Sequence, residues 1–130
     1  MAYVQGFVIP VPTEKREAYR AMAAAVAPLL HEYGATRLME AWGDAVPEGK
    51  VTDFNMAVKA GPDETVVFSW IEWPDKATCE AAQKKMEADE RMKPDGEVPF
   101  DGKRMIYGGF TPLLDTKAPL DTKAPLDTKD

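Results

Sequence analysis

Six polar and aromatic side chains on predicted strands are the best candidates for chemistry in this chain. In chain order they are Glu40, Trp42, Trp70, Glu72, Arg104 and Tyr107. A carboxylate or guanidinium that is buried on a sheet needs a partner. The three aromatic rings could line a pocket for a small apolar or aromatic molecule, and one or two fixed charges would orient it. In an enzyme, Glu40 or Glu72 would transfer protons while Arg104 stabilises charge.

The alternative for these residues is structural. Arg104 would then form an ion pair with a strand glutamate at a subunit interface. Strand alternation places Glu40 on one face with Trp42, and Glu72 on one face with Trp70. It places Arg104 and Tyr107 on opposite faces of the last strand. No residue is assigned a catalytic role, because the pairing register that decides which faces meet is not visible in one sequence.

No other motif indicates chemistry. The single histidine, His31, and the single cysteine, Cys79, lie far apart without metal-ligand spacing, so we expect neither a metal site nor a cofactor. His31 falls near the end of a predicted helix, where it interacts well with the helix dipole. Cys79 has no basic partner in sight and is expected to be inert. The only serine, Ser69, lies in mid-strand, which is a poor place for a nucleophile.

Strands and helices alternate along the chain in a simple pattern. Strands are predicted at 3–11, 35–43, 64–73 and 103–110, and helices at 13–33, capped by Thr13, and 75–90, capped by Asp75. Residues 53–60 favour a short helix, with a strand as the alternative. The order predicts an α+β fold: a ferredoxin-like βαββαβ protomer with an antiparallel four-stranded sheet. Two helices cover one sheet face, so the apolar other face predicts a homodimer.

Composition excludes several classes of protein. The chain has 130 residues and a net charge of −6, with no basic stripe, which argues against nucleic acid or an anionic membrane surface as partners. No apolar run approaches the roughly 20 residues that span a bilayer. A lone cysteine and an N-terminus without signal-peptide features predict a cytoplasmic protein.

The C-terminal segment is distinct from the rest. We divide the chain into a domain at 1–113 and a repetitive tail at 114–130, in which the hexapeptide LDTKAP recurs. The tail is either a solvated low-complexity segment or an arm that lays Leu120 and Leu126 on a neighbouring subunit.

Several strings resemble one protein family. They are YV-GFV at 3–8, AYR-MA at 18–23, VTDF–AVKA at 51–60, VVFSWI at 66–71 and PFDGKRMIYGGF at 99–110. Together they cover about 3–113 and resemble the YbaA-like family of small bacterial proteins of unknown function. The resemblance implies membership of the dimeric α/β-barrel superfamily, in which the sheets of two ferredoxin-like protomers form a barrel. That superfamily includes cofactor-independent monooxygenases, haem-degrading enzymes and isomerases, but no catalytic residue carries over.

These observations predict a homodimeric α/β-barrel protein that holds a small organic molecule between sheet and helices. The first alternative is a cofactor-independent monooxygenase or isomerase that acts on a small aromatic or apolar substrate. The second is a purely structural or protein-interaction role. A pocket with a desolvated glutamate would favour the enzyme, whereas a fully paired Arg104 would favour the structural role.

Overall fold

A computed structural model describes residues 2–94 and 96–117. Its regular elements are β1 (Tyr3–Pro12), α1 (Arg16–Glu32), β2 (Arg37–Trp42), α2 (Phe54–Ala57), β3 (Glu64–Trp73), α3 (Lys76–Ala88) and β4 (Ile106–Phe110). The fold is α+β, with one open four-stranded sheet in the order β2-β3-β1-β4. All three strand pairs are antiparallel, as predicted.

Local sequence explains where most elements begin and end. The Asp75 side chain accepts a hydrogen bond from the Thr78 backbone at 2.7 Å, which caps α3 as predicted. Asp53 caps α2 in the same way through the Met56 backbone at 2.6 Å, so the helical interpretation of this segment is confirmed. Helix α1 ends before Gly34, whose φ of +110° suits glycine and reverses the chain into β2.

The core lies between the sheet and helices α1 and α3. Trp73 is fully buried and packs in one cluster with Leu30 of α1 and Cys79 of α3. A second cluster joins Tyr19 of α1 to Val67 of β3. Both clusters occupy the same sheet face, so the opposite face has no helix from α1 or α3 against it.

Two predictions about segment ends are wrong. Thr13 does not cap the first helix, because its hydroxyl lies 2.7 Å from that of Thr65 and a short 3-10 turn precedes α1. The last strand begins at Ile106 rather than at residue 103. Arg104 therefore lies in a turn that the Asp101 side chain stabilises, and it takes no part in the alternation of β4.

No helix in the described ranges is long and apolar enough to cross a membrane. Residues 118–130, which include most of the predicted tail and both Leu120 and Leu126, lie outside the described residues. The domain boundary at 113 and 114 stays a prediction.

Candidate functional site

The helix-covered face of the sheet carries a row of four side chains, one from each strand. Glu40 of β2 lies opposite Ser69 of β3, Ser69 lies opposite Phe7 of β1, and Phe7 lies opposite Tyr107 of β4. The rings of Phe7 and Tyr107 are stacked, with centroids 6.1 Å apart. The row thus runs from a carboxylate at one edge of the sheet to an aromatic pair at the other.

A cavity of about 410 Å³ lies above this row. Its roof comes from α1, from α3 and from the segment between α3 and β4. The roof residues are mostly apolar, with four methionines among them: Tyr19, Met22, Ala23, Val26, Leu30, Gln83, Met86, Met92, Phe100 and Met105. A volume of this size and a mainly apolar lining are typical of sites for small organic molecules.

Glu40 and Tyr19 form the central polar contact of the cavity. Tyr19 is 4% exposed, and its hydroxyl donates a hydrogen bond to Glu40 Oε1 at 2.7 Å. Glu40 meets Tyr19 beneath α1, although the residue as a whole is exposed to solvent. Burial raises the pKa of the Glu40 carboxyl, while the hydroxyls of Tyr19 and Ser69 act in the opposite direction. Burial also raises the pKa of Tyr19, and the neighbouring carboxylate adds to this, so Tyr19 stays a donor.

Gln5 offers a second polar group to the same cavity. Trp73 Nε1 donates to Gln5 Oε1 at 2.9 Å, and both side chains are buried. An indole N–H can only donate, so this bond fixes the carbonyl end of the amide on Trp73. The amide nitrogen of Gln5 therefore remains available as a donor at the cavity wall.

Trp42 lines a different groove, on the outer side of Glu40. This groove, of about 400 Å³, runs between α1 and β2 and shares Glu40 and Tyr19 with the inner cavity. The guanidinium of Arg16 lies 5.5 Å from the centroid of the Trp42 ring, which is a cation–π contact. Trp42 thus flanks the candidate site without lining the inner cavity.

Trp70 and Glu72 lie on the opposite, open face of the sheet. Trp70 Nε1 donates to Glu72 Oε2 at 2.9 Å, and Arg37 Nη1 lies 3.8 Å from the same oxygen. Within one chain the sheet separates these two residues from Glu40, whereas Trp70 and the edge-strand residue Tyr107 both line a groove on the open face. The structure therefore does not bring Trp42, Trp70 and Tyr107 together into one pocket.

Arg104 is fully engaged away from the cavity. Its guanidinium binds both carboxylate oxygens of Glu64 at 2.7 Å, Asp101 at 2.9 Å and the Lys59 carbonyl at 2.8 Å. Hydrogen bonds from Arg104 and from the Gly61 backbone hold the pKa of Glu64 below its usual range. Its carboxylate partner on the sheet is thus Glu64 at the start of β3, not Glu40 or Glu72.

His31 and Cys79 also have structural surroundings. His31 Nδ1 lies 2.9 Å from the Ala35 carbonyl, just past the end of α1. Cys79 is 2% exposed, and burial raises the pKa of its thiol, so the thiolate is disfavoured. Among residues 2–94 and 96–117, no group of three potential metal ligands is close enough to hold an ion.

The sequence-based selection missed Tyr19, Ser69 and Gln5. Tyr19 fits the apolar stripe of α1 and is read as core from its spacing alone. A buried tyrosine hydroxyl needs a hydrogen-bond partner, however, and Glu40 faces the helices from β2. The need of this hydroxyl for a partner was the feature of the sequence that could have identified Tyr19 as a site residue. Ser69 and Gln5 gave none, because their roles depend on strand register.

Comparison with known proteins assigns this chain to a family. The family model described as "Protein of unknown function (DUF1428)" matches residues 2–102. The chain is 60% identical over 116 residues to "Uncharacterized protein YbaA" of Escherichia coli K12, covering 88% of this chain and 99% of that one. The same figures hold for the protein of that name in Shigella flexneri. A solved structure, "De novo designed protein Foldit4", aligns with a TM-score of 0.43 at 12% identity, covering 86% of this chain and 99% of that one. On the family match and the curated relatives, this chain belongs to the DUF1428 family of proteins of unknown function.

Proposed function

We propose that this protein is a small-molecule-binding module whose ligand occupies the cavity between the sheet and helices α1 and α3. The observation that carries the proposal is the Tyr19–Glu40 pair, which projects a hydrogen-bonded carboxylate into a mainly apolar space of about 410 Å³. A few convergent polar groups in an apolar cavity are what orient a small organic ligand. The flexible methionines of the roof adapt to its shape.

Native mass spectrometry of the full chain, purified from the cells that produce it, tests this proposal. We expect the protein to carry a small-molecule increment. Val26→Phe fills the cavity from α1, whereas Ala25→Phe adds the same ring on the exposed side of that helix. The increment should disappear in Val26→Phe and persist in Ala25→Phe.

A fluorescence titration with phenylnaphthylamine provides a second test, because this neutral probe brightens in apolar surroundings. We expect saturable binding to the wild type and to Ala25→Phe, and a large loss of binding in Val26→Phe. Absence of both an increment and a saturable signal in a folded wild type would refute the proposal. Equal signals in the two variants would place the binding site elsewhere.

We also propose that the protomer is ferredoxin-like and that it forms a homodimeric barrel through the open sheet face. The strand order β2-β3-β1-β4, with α1 and α3 on one face, supports the protomer. Large apolar side chains on the other face support the assembly: Phe68, Ile106 and Phe110 are 45–59% exposed around a groove of about 500 Å³ that also contains Trp70. A two-fold pairing buries such a face in both copies at once.

The mass in solution, from light scattering after size exclusion, tests the dimer. We expect a dimer for the wild type and a monomer for Phe68→Lys, since a charge at the centre of the face would be desolvated on pairing. Leu113→Lys is the control, because Leu113 is 91% exposed and lies beyond β4. A monomeric wild type, or a dimeric Phe68→Lys, would refute this interface.

A second candidate function is a cofactor-independent isomerase, and the observation that favours it is the Glu40 carboxylate in the lining of a mainly apolar cavity, where burial raises its pKa. A carboxylate with a raised pKa is a better proton acceptor at neutral pH. The test is whether the protein, in D₂O, catalyses replacement of a carbon-bound hydrogen of its ligand by deuterium. Exchange with the wild type and none with Glu40→Gln would support the enzyme. No exchange with either would leave binding as the function.

A further inference from the structure

We propose that the ligand of the sheet–helix cavity is an amine, with a small apolar or aromatic body and one ammonium group that pairs with Glu40. This inference rests on the proposed function and names the ligand's chemical class. It follows from the charge of the cavity wall, from the unused hydrogen-bonding capacity of Glu40 and from the aromatic lining.

Glu40 is the only charged residue among the described residues that line the inner cavity. In the described part of the chain it takes part in no ion pair within 4.0 Å; its hydrogen-bond donor Tyr19 and its cross-strand neighbour Ser69 are both neutral. A carboxylate that is partly withdrawn from water is stabilised by a cation, and here the protein wall supplies none.

The nearby arginines belong to the outer groove and have other partners. Arg16 lies over the ring of Trp42, and Arg20 Nε donates to Glu17 at 3.0 Å. Neither lines the inner cavity. An anionic ligand would therefore meet a carboxylate without a compensating positive charge, so carboxylates and phosphates are disfavoured.

Hydrogen-bonding capacity points in the same direction. An ionised carboxylate has about four acceptor sites, and the Tyr19 hydroxyl occupies one of them, which leaves about three. An ammonium group has three donors and no acceptor, which matches the remaining capacity of Glu40. The rings of Phe7, Phe100 and Tyr107 also line the cavity, and aromatic faces attract cations.

Three probes of similar size and different charge test the inference: phenethylamine, phenethyl alcohol and phenylpropionate. Their affinities for the full chain are measured by protein-observed NMR titration. A charge-assisted hydrogen bond should make the amine bind about tenfold more tightly than the alcohol. Phenylpropionate should bind more weakly than either.

Two variants assign this preference to a residue. Glu40→Gln keeps an acceptor for Tyr19 but removes the charge, so the amine should lose about tenfold in affinity while the alcohol changes by less than about twofold. Glu72→Gln removes a carboxylate from the same sheet but from its open face, and all three affinities should be unchanged. The spectrum of each variant reports whether it is folded.

The outcomes separate this inference from the proposed function. Equal affinities for amine and alcohol, or an amine preference that survives in folded Glu40→Gln, would overturn the amine assignment alone. Failure of all three probes with retained phenylnaphthylamine binding would also overturn only the assignment. Failure of all three probes and of phenylnaphthylamine, with no increment in the native mass, would overturn both.

Discussion

Tyr19→Phe is the sharpest single-atom test of the site. It removes only the hydroxyl that donates to Glu40 at 2.7 Å and keeps the ring, which packs edge-to-face on Phe100. A hydrogen bond to a charged group contributes about 1.5–3 kcal/mol, and the solvent access of Glu40 places this one at the lower end. We expect the free energy of unfolding of Tyr19→Phe to be about 1.5 kcal/mol lower than that of the wild type at neutral pH. For a domain of this size this corresponds to a fall in Tm of about 6 °C.

The pH dependence of this loss carries the mechanistic information. Burial raises the pKa of folded Glu40 above its unfolded value, so ionisation of Glu40 destabilises the fold as pH rises. The Tyr19 hydroxyl opposes that shift, and its removal raises the pKa of Glu40 further. The stability difference between wild type and variant should therefore be small below about pH 4, where Glu40 is protonated in both states, and largest near pH 8.

Urea unfolding at several pH values measures the difference, and NMR titration of the Glu40 side-chain carbon reports its pKa directly. In a Glu40→Gln background the pH dependence of the Tyr19→Phe effect should vanish. Tyr33→Phe is the control, because Tyr33 also donates to a carboxylate, that of Asp89, which Arg91 still binds after the change. A loss for Tyr19→Phe that does not vary with pH, or whose pH dependence persists in the Glu40→Gln background, would refute the coupling.

Three further predictions concern the frame around the site. Trp73→Phe should lower the free energy of unfolding in urea by about 2–3 kcal/mol, because it leaves the buried Gln5 carbonyl unpaired. The double change with Gln5→Leu should cost clearly less than the sum of the two single changes, and strict additivity would contradict this. Arg104→Lys should lower Tm because lysine cannot replace the two-point contact with Glu64. The Tm difference should shrink as pH falls toward about 3, since the lowered pKa of Glu64 stabilises the fold only above its unfolded value; a constant difference would argue against the pair. Gly34→Ala should lose about 2 kcal/mol by calorimetry, because φ is +110° and the new Cβ would meet a side chain of α3, and an unchanged Tm would contradict this.

Much of the fold could be predicted from local signals. Strand β3 has the predicted bounds because a run of β-branched and aromatic residues is bracketed by turn residues and Pro74. The caps of Asp53 and Asp75 likewise act within three residues of their partners. The start of β4 was misplaced because Arg104 takes its conformation from contacts that are distant in the sequence, with Glu64 and Lys59.

The sequence predicts which candidate residues share a face within one strand, but it does not predict which faces meet across strands, because that depends on strand register. Alternation correctly grouped Glu40 with Trp42 and Trp70 with Glu72. It could not reveal that Glu40 lies opposite Ser69, which puts Glu40 on the face that Trp70 does not occupy. Tyr19 lies on helix α1, so strand alternation says nothing about it. In the sequence, its link to Glu40 is the need of a buried hydroxyl for a hydrogen-bond partner.

The row that forms the floor of the cavity has a consequence for how the protein is made. One member of this row comes from each of the four strands: Phe7, Glu40, Ser69 and Tyr107. Tyr107 comes last in the sequence and belongs to the edge strand β4. A chain that stops before residue 106 lacks Tyr107 and therefore part of this floor. The ligand proposed above, if it contacts all four side chains, would bind only a chain that includes β4, and its binding would stabilise β4 against the sheet.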